Sequence, residues 1–411
     1  MTNKLLIIGH HYPEPKSSAA GTRMLQLIRL FQEQEYEITF ACTSTKNTNA
    51  YDLKSSGVNE VVIELNNPSF DAFIKTLQPQ VVLFDRFMTE EQFGWRVAEQ
   101  CPDALRILDT EDLHGLRKAR ELALKDNTAV SKTHLFNDTA KREIASIYRC
   151  DLSLIISEAE MELLKNEFKV PEALYCYLPF LLDIISSITN SNLPNFNSRD
   201  HFITIGNFLH APNYDAVRYL KSTIWPLIRK KLPKAQMHIY GAYASQKVTQ
   251  LHNEREGFLI KGFAKDVNVV MQQAKICLAP LRFGAGLKGK LVDAMQNGLP
   301  CGMSSIAAEG MFGSLDPNGF IEDDPELFAK KTVDLYTNET LWNTCRDNGH
   351  TIINERFNCH TFKKNFLETL KHYLLNMHAL RNANFTGLML QHQTLQGSKY
   401  MSKWIEEKHN K

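Results

Sequence analysis

ICLAPLRFGAGLKGKLVDAMQNGLP, residues Ile276 to Pro300, reads as a buried strand, a glycine-rich loop and an amphipathic helix in succession. It nearly spells a P-loop, with Gly284, Gly289 and Lys290 at the right spacing. That chemistry needs a Ser or Thr hydroxyl next to hold magnesium, and Leu291 stands there instead. Another way to hold a phosphate survives. Glycines without a Cβ let the backbone approach an anion closely. A helix starting near Lys288 or Lys290 offers free N–H groups and the positive end of its dipole. Arg282 and Lys288 add formal charge on either side. The plainer alternative is a tight strand-to-helix turn whose basic residues are merely solvated.

The same strand-then-helix rhythm runs through most of the chain. Residues 4–9 (KLLIIG) form a continuous apolar run of the kind buried on both faces of a parallel sheet. Met24, Leu25, Ile28 and Phe31 then recur at helical spacing. Further strands are expected at 37–42, 60–65, 81–84, 105–108 and 152–156. From Asp183 to Arg199 the text turns to Ser, Asn and Pro, a linker or surface loop. The rhythm restarts at 201–206 and continues through 235–241, 258–262, 276–280 and 301–304. Such alternation predicts two doubly wound α/β domains in series. Residues 359–375 read as a helix, and pattern alone gives no place to the polar, aromatic-dotted tail beyond.

Composition agrees. At 411 residues, 43% hydrophobic and 23% charged, the chain has room for two or three ordinary domains. A formal net charge of +1 argues against a nucleic-acid or polyanion binder. The run Arg229-Lys230-Lys231 reads as a solvated helix face. No two of the 8 cysteines have zinc or redox spacing, so they read as small buried hydrophobes in a reducing cytoplasm. The first residues lack a signal-peptide pattern. No apolar run approaches the ~20 residues that span a bilayer. A soluble, cytoplasmic protein is expected.

The stretch Arg282–Pro300, followed by Ser304-Ser-Ile-Ala-Ala-Glu-Gly310, resembles the donor-site signature of GT-B glycosyltransferases of family 4. Gly206-Asn-Phe-Leu-His-Ala-Pro-Asn-Tyr-Asp-Ala216, Ile224-Trp-Pro226 and His238-Ile-Tyr-Gly241 match the same family in the right order. The first half matches more loosely, at Gly21-Thr22, at Asp109–His114 and at 148–157. The resemblance implies two Rossmann-like domains facing a central crevice. Residues 1–182 would form the acceptor side, 183–199 a linker and 200–358 the donor side, with 359–411 packing back as a helix plus tail. It implies that Asp293 bonds the donor ribose and that Arg282 and Lys288 face the diphosphate. Gly206, Gly262, Phe263, Gly284, Gly286 and Leu287 would border the donor, and Gly21 and Thr22 would reach its phosphates from the opposite domain.

Two departures stand out. The family pairs two glutamates eight positions apart, whereas here the second is Asp293 and Ala285 stands eight before it. Many relatives also carry a His where this chain has Asp109, and His114 follows five residues later. Asp109, Glu111 and Asp112 read either as sugar-hydroxyl ligands or as helix caps, and Asp109 and Glu111 as candidate nucleophiles. His114 reads either as a local hydrogen-bonding group or as a contact to the sugar or acceptor. Arg23 would sit on a phosphate or pair on the surface, and His210 would stabilise its loop at the donor border. Adjacent His10 and His11 point oppositely and make a poor chelate. By resemblance the protein is a retaining, metal-independent hexosyltransferase without a cofactor. It would use a UDP- or GDP-sugar as co-substrate and a glycan, lipid-linked or protein acceptor. The family's place in surface-polysaccharide synthesis implies peripheral docking at the inner face of the membrane. Two competing readings use the same scaffold: a nucleotide-sugar-binding subunit without catalysis, and a nucleotide-sugar epimerase.

Overall fold

The computed structural model describes residues 3–186 and 191–409. Seven strands make the first sheet: β1 (Lys4–Gly9), β2 (Glu37–Cys42), β3 (Asn59–Val62), β4 (Val81–Asp85), β5 (Leu105–Asp109), β6 (Leu152–Ile155) and β7 (Tyr175–Tyr177). Their order is β3-β2-β1-β4-β5-β6-β7 and every pair is parallel. Six more make the second: β8 (Asp200–Ile205), β9 (Met237–Tyr240), β10 (Phe258–Gly262), β11 (Ala274–Ala279), β12 (Cys301–Met303) and β13 (Gly319–Ile321). Their order, β10-β9-β8-β11-β12-β13, repeats the same parallel logic. Parallel strands need crossover helices, which cover both faces of each sheet. Hence Leu5 to Ile8 in β1 are wholly buried, as are Phe202 and Ile203 in β8. The architecture is the expected pair of Rossmann-like α/β units.

In each sheet the strand order reverses once, between β1 and β4 and again between β8 and β11. Connections leave on opposite faces there and open a crevice at the carboxyl ends of the strands. The two reversal points face one another, which fixes where a ligand can sit.

Leu182 leads the chain out of the first lobe and Asn358 leads it back, and these two crossing points pair as a parallel bridge. Leu182 N–H donates to the Phe357 carbonyl at 2.8 Å, and Cys359 N–H to that of Leu182 at 2.9 Å. The returning helix, Cys359–Ala383, sinks Phe366, Leu370, Tyr373 and Met377 into the same core as Leu27, Phe31 and Leu83. Arg381 then grips Asp151 through two 2.7 Å bonds. The tail left unplaced by pattern is a second helix, Phe385–His409, on the first lobe. Arg96 holds it, bonding Asp71 at 2.6 Å, Ser402 at 3.1 Å and Glu406. Strands β7 and β13 also escape the sequence pattern. Of the polar stretch 183–199, residues 187–190 lie outside the described residues, and Ile185 is tied to Asn354 at 2.7 Å.

Candidate functional site

A cleft of about 1540 Å³ runs between the lobes at the two reversal points. Two helices begin there head to head. One, Ala19–Gln32, follows β1, and the other, Gly289–Gln296, follows β11. They meet so closely that a Cβ on Gly289 would lie 2.5 Å from that of Ala19. A helix start leaves up to four N–H groups without helical partners and carries the positive dipole end. Ser18 caps one helix by accepting from the Gly21 amide at 3.1 Å, and Lys288 occupies the cap position of the other. Gly21 itself lies against the Glu14 backbone, 2.4 Å from where a Cβ would be. No larger residue fits that turn.

Lys288 is 9% exposed and lines the cleft; its Nζ donates to the Ala285 carbonyl at 3.1 Å and to that of Gly286. Burial pulls its pKa down to about 8, against the opposing pull of Glu309. Lys290, two residues on, donates to Asn213 at 2.9 Å and is likewise lowered to about 8 by burial. Asp293 faces the cleft from the same helix, and burial raises its carboxyl to about 7. Among the described residues its carboxylate has no hydrogen-bond partner. Gly206, Phe263, Gly284 and Leu287 line the cleft as well, with Thr22 and Gly21 opposite. Gly262, expected at the donor border, does not line the cleft itself; it precedes Phe263 at a left-handed φ of +76°, with open space where a Cβ would stand.

The first lobe contributes Asp85 at the end of β4, Arg86 just after it, and Glu111, Asp112 and His114 after β5. His114 opens a helix whose first amides are capped by Glu143, at 2.9 and 3.0 Å. Its ring stands edge-on to Phe87, 3.2 Å from Asp112, and burial drops its pKa to about 4. It is a neutral hydrogen-bonding imidazole at neutral pH. His210, also on the cleft, is lowered to about 4 for the same reason.

Two expected catalytic residues are displaced. Asp109 does not line the cleft: it is wholly buried behind the wall, with both oxygens bonded to Arg23. Arg23, 1% exposed, also donates to the carbonyls of Leu178 at 2.7 Å and Pro179 at 3.3 Å. It therefore sits neither on a phosphate nor on the surface, and the pair fastens helix Ala19–Gln32 to β5 and to the chain beyond β7. Stripping either partner from such a pair costs about 3–5 kcal/mol. Arg282 turns outward, its guanidinium spread on Asp215 (2.8 Å from Nε) and 5.0 Å above the Tyr219 ring. A fork already filled by a carboxylate is not offered to a diphosphate.

Contacts that hold the lobes together were invisible in the sequence. Glu160, on the first lobe, is wholly buried and accepts from Leu113 N–H at 2.9 Å and from Gly286 N–H at 2.8 Å. Gly286, at φ +63°, sits so near Asp112 that a Cβ would approach it to 2.8 Å. Arg120 reaches across to Glu309 and to the Gly284 carbonyl at 2.8 Å. Ala285, where the family pattern would put an acid, is packed against the first lobe's core. At the mouth of the cleft Tyr243, held at φ +59°, donates to Glu14 at 2.8 Å and accepts from Asn47 and Asn49 at 3.2 Å each. Among the described residues no group of three or more His, Cys, Asp or Glu side chains could hold a metal ion, and no helix is long and apolar enough to cross a membrane.

Such a cleft between two doubly wound lobes is the GT-B arrangement. Residues 199–338 match the model of the family described as Glycosyl transferases group 1. No curated protein matches the chain in sequence. The fold is shared with sucrose-phosphate synthase from Thermosynechococcus elongatus at TM-score 0.69 and 13% identity, over 91% of this chain and 99% of that one. A TarM variant from S. aureus, solved with fondaparinux, alpha-GlcNAc-glycerol and UDP, superposes at 0.68 and 11% identity over 90% and 99%. The pneumococcal O-GlcNAc transferase GtfA, solved with UDP and GlcNAc, does so at 0.66 and 13% over 91% and 99%.

Proposed function

We propose that this chain is a glycosyltransferase that moves a sugar from a nucleoside-diphosphate donor to a hydroxyl acceptor. One observation carries the reading: two helix starts meet across the cleft with Lys288 and Lys290 beside them. Negative charge grows on the diphosphate as the bond to the anomeric carbon breaks. Donors fixed in place before that moment lower the barrier without reorganising. The lysines and first-turn amides are such donors, so charge neutralisation does not call for a metal. In the retaining version we favour, the acceptor oxygen bonds the anomeric carbon on the face the phosphate leaves. The acceptor's proton passes to the departing phosphate oxygen. Asp293 takes the ribose hydroxyls, and neutral His114 is within the cleft to bond the sugar or acceptor. The acceptor is a glycan, a lipid-linked sugar or a protein.

A thermal-shift panel of UDP-, GDP-, dTDP- and CMP-sugars tests the reading. A donor at 100 times its Kd adds about 2.7 kcal/mol of stability, so one nucleoside diphosphate-sugar is expected to raise Tm clearly and to be hydrolysed slowly. No shift from any member would refute it. Ala285 at the usual acidic position motivates a second reading, a nucleotide-sugar-binding subunit without turnover; a Tm shift with no hydrolysis or transfer would favour that instead.

Asp293 gives the reading a pH signature. Ribose hydroxyls donate to the ionised carboxylate, and burial keeps this group protonated below about 7. From Asp293, UDP affinity is therefore expected to climb by up to about tenfold per pH unit below 7 and to level off above it, before Lys288 and Lys290 lose charge above about 8 and weaken binding again. Calorimetric titration of UDP at several pH values should show this rise in the wild type and not in Asp293→Asn. An identical profile in the variant would remove Asp293 from the donor site.

A further inference from the structure

Glu111 stands out among the groups facing the cleft. Its φ is +61°, and Asp112 N–H bonds back to the Thr110 carbonyl at 2.8 Å, a γ-turn of the rarer, strained hand. The neighbouring strand ends the same way, with Arg86 at φ +71° after β4. A glutamate or arginine in the left-handed region is uncommon, and such strain persists where the surroundings over-determine it. Both strained residues line the cleft at the carboxyl ends of adjacent strands. Arg86 is occupied with Asp85 at 3.3 Å. The Glu111 carboxyl has no hydrogen-bond partner among the described residues, although Asp109, Asp85, Arg86 and Arg23 all act on it electrostatically. Burial and the neighbouring acids push its pKa well above the usual carboxylate range. Its backbone packs against the glycine loop, since a Cβ on Gly286 would come 3.5 Å from the Glu111 main-chain carbonyl, while the residue itself lines the cleft. Diphosphate groups would gather on the lysine side of the cleft. A carboxyl there offers phosphate no cation and suits a sugar hydroxyl.

We infer that Glu111 is the acceptor-binding residue of the cleft, holding the incoming hydroxyl beside the anomeric carbon. The inference rests on the glycosyltransferase reading above. The hydroxyl's proton still passes to the leaving phosphate oxygen, so Glu111 orients the nucleophile and need not keep the proton. The strained turn fixes the carboxyl where no other protein group competes for it.

Glu111→Gln keeps the shape and removes the acid; Glu111→Gly suits the left-handed backbone and removes the side chain. UDP affinity is measured by calorimetry, and hydrolysis of UDP-glucose, or of the donor picked by the thermal-shift panel, is compared with transfer to glycerol as a simple hydroxyl acceptor. Both variants are expected to bind UDP within about twofold of wild type, while the ratio of glycerol product to hydrolysis falls at least about tenfold, on the scale of a lost positioned hydrogen bond. An unchanged ratio would overturn the inference, as would a parallel loss of UDP affinity. So would a wild-type ratio no higher than the concentrations of glycerol and water dictate. Absence of both UDP binding and donor hydrolysis in the wild type would instead sink the glycosyltransferase reading.

Discussion

Replacing Lys288 by alanine is expected to lower kcat/KM for donor turnover by about 10²–10³, the usual loss when one fixed charge-stabilising donor is removed from a dry site. Lys288 is nearly buried at the start of helix Gly289–Gln296, held by the carbonyls of its own loop. Its ammonium needs no reorganisation when the leaving phosphate charges up. Burial lowers its pKa to about 8, so it is mostly charged at neutral pH, and an arriving diphosphate favours the charged form further. Arg282→Ala makes the comparison sharp, because that guanidinium is spread on Asp215 outside the cleft. It should change kcat/KM by about twofold or less, as for an exposed ion pair. Nucleotide release by both variants decides the matter. Equal losses would mean that the arginine swings into the cleft and that the outward pairing is not its working position.

Ending the chain at residue 358 is expected to abolish folding of the first lobe altogether. Phe366, Leu370, Tyr373 and Met377 are each no more than 8% exposed inside the core built around Phe31, and Phe31 packs edge-on to Phe366 at 5.9 Å. Emptying sites of that size costs about 2–5 kcal/mol each, against a total stability of roughly 5–15 kcal/mol. Removing only 385–411 is milder. It strips Ser402 and Glu406 from Arg96 but leaves Asp71 in place, so a lower Tm with a cooperative transition is expected. Solubility and circular-dichroism melting of the two truncations check this. A cooperative, wild-type melt from the shorter chain would show that the returning helix is dispensable.

Strands in the middle of each sheet were plain in the sequence because burial on both faces demands unbroken apolar runs, as at Leu5 to Ile8. Edge strands lack that demand. Tyr175–Tyr177 and Gly319–Ile321 are three residues long and partly exposed, so no periodicity marks them. The tail helix hid for a related reason: much of its apolar surface, including Tyr400 and Trp404, faces solvent and leaves no clean stripe. In the cleft, Lys288 and Asp293 were readable because loop and helix are contiguous in the chain. Arg282 misled because Asp215 is 67 residues away, and Asp109 because Arg23 is 86 away. Glu160, Arg120 and Tyr243 reach across to the other lobe, and nothing local announces a partner more than a hundred positions distant.

Tyr243 and its three partners tie the two lobes together at the rim of the cleft. In the proposed reaction, spreading the lobes to release spent nucleotide would break this strap and the packing of Gly286 on Asp112. Product release in that reaction would then include a mechanical step, separation of the lobes, as in many enzymes whose covers open slowly. The bridge at Leu182 and Asn358 is the natural pivot for that separation, because both polypeptide connections pass through it side by side.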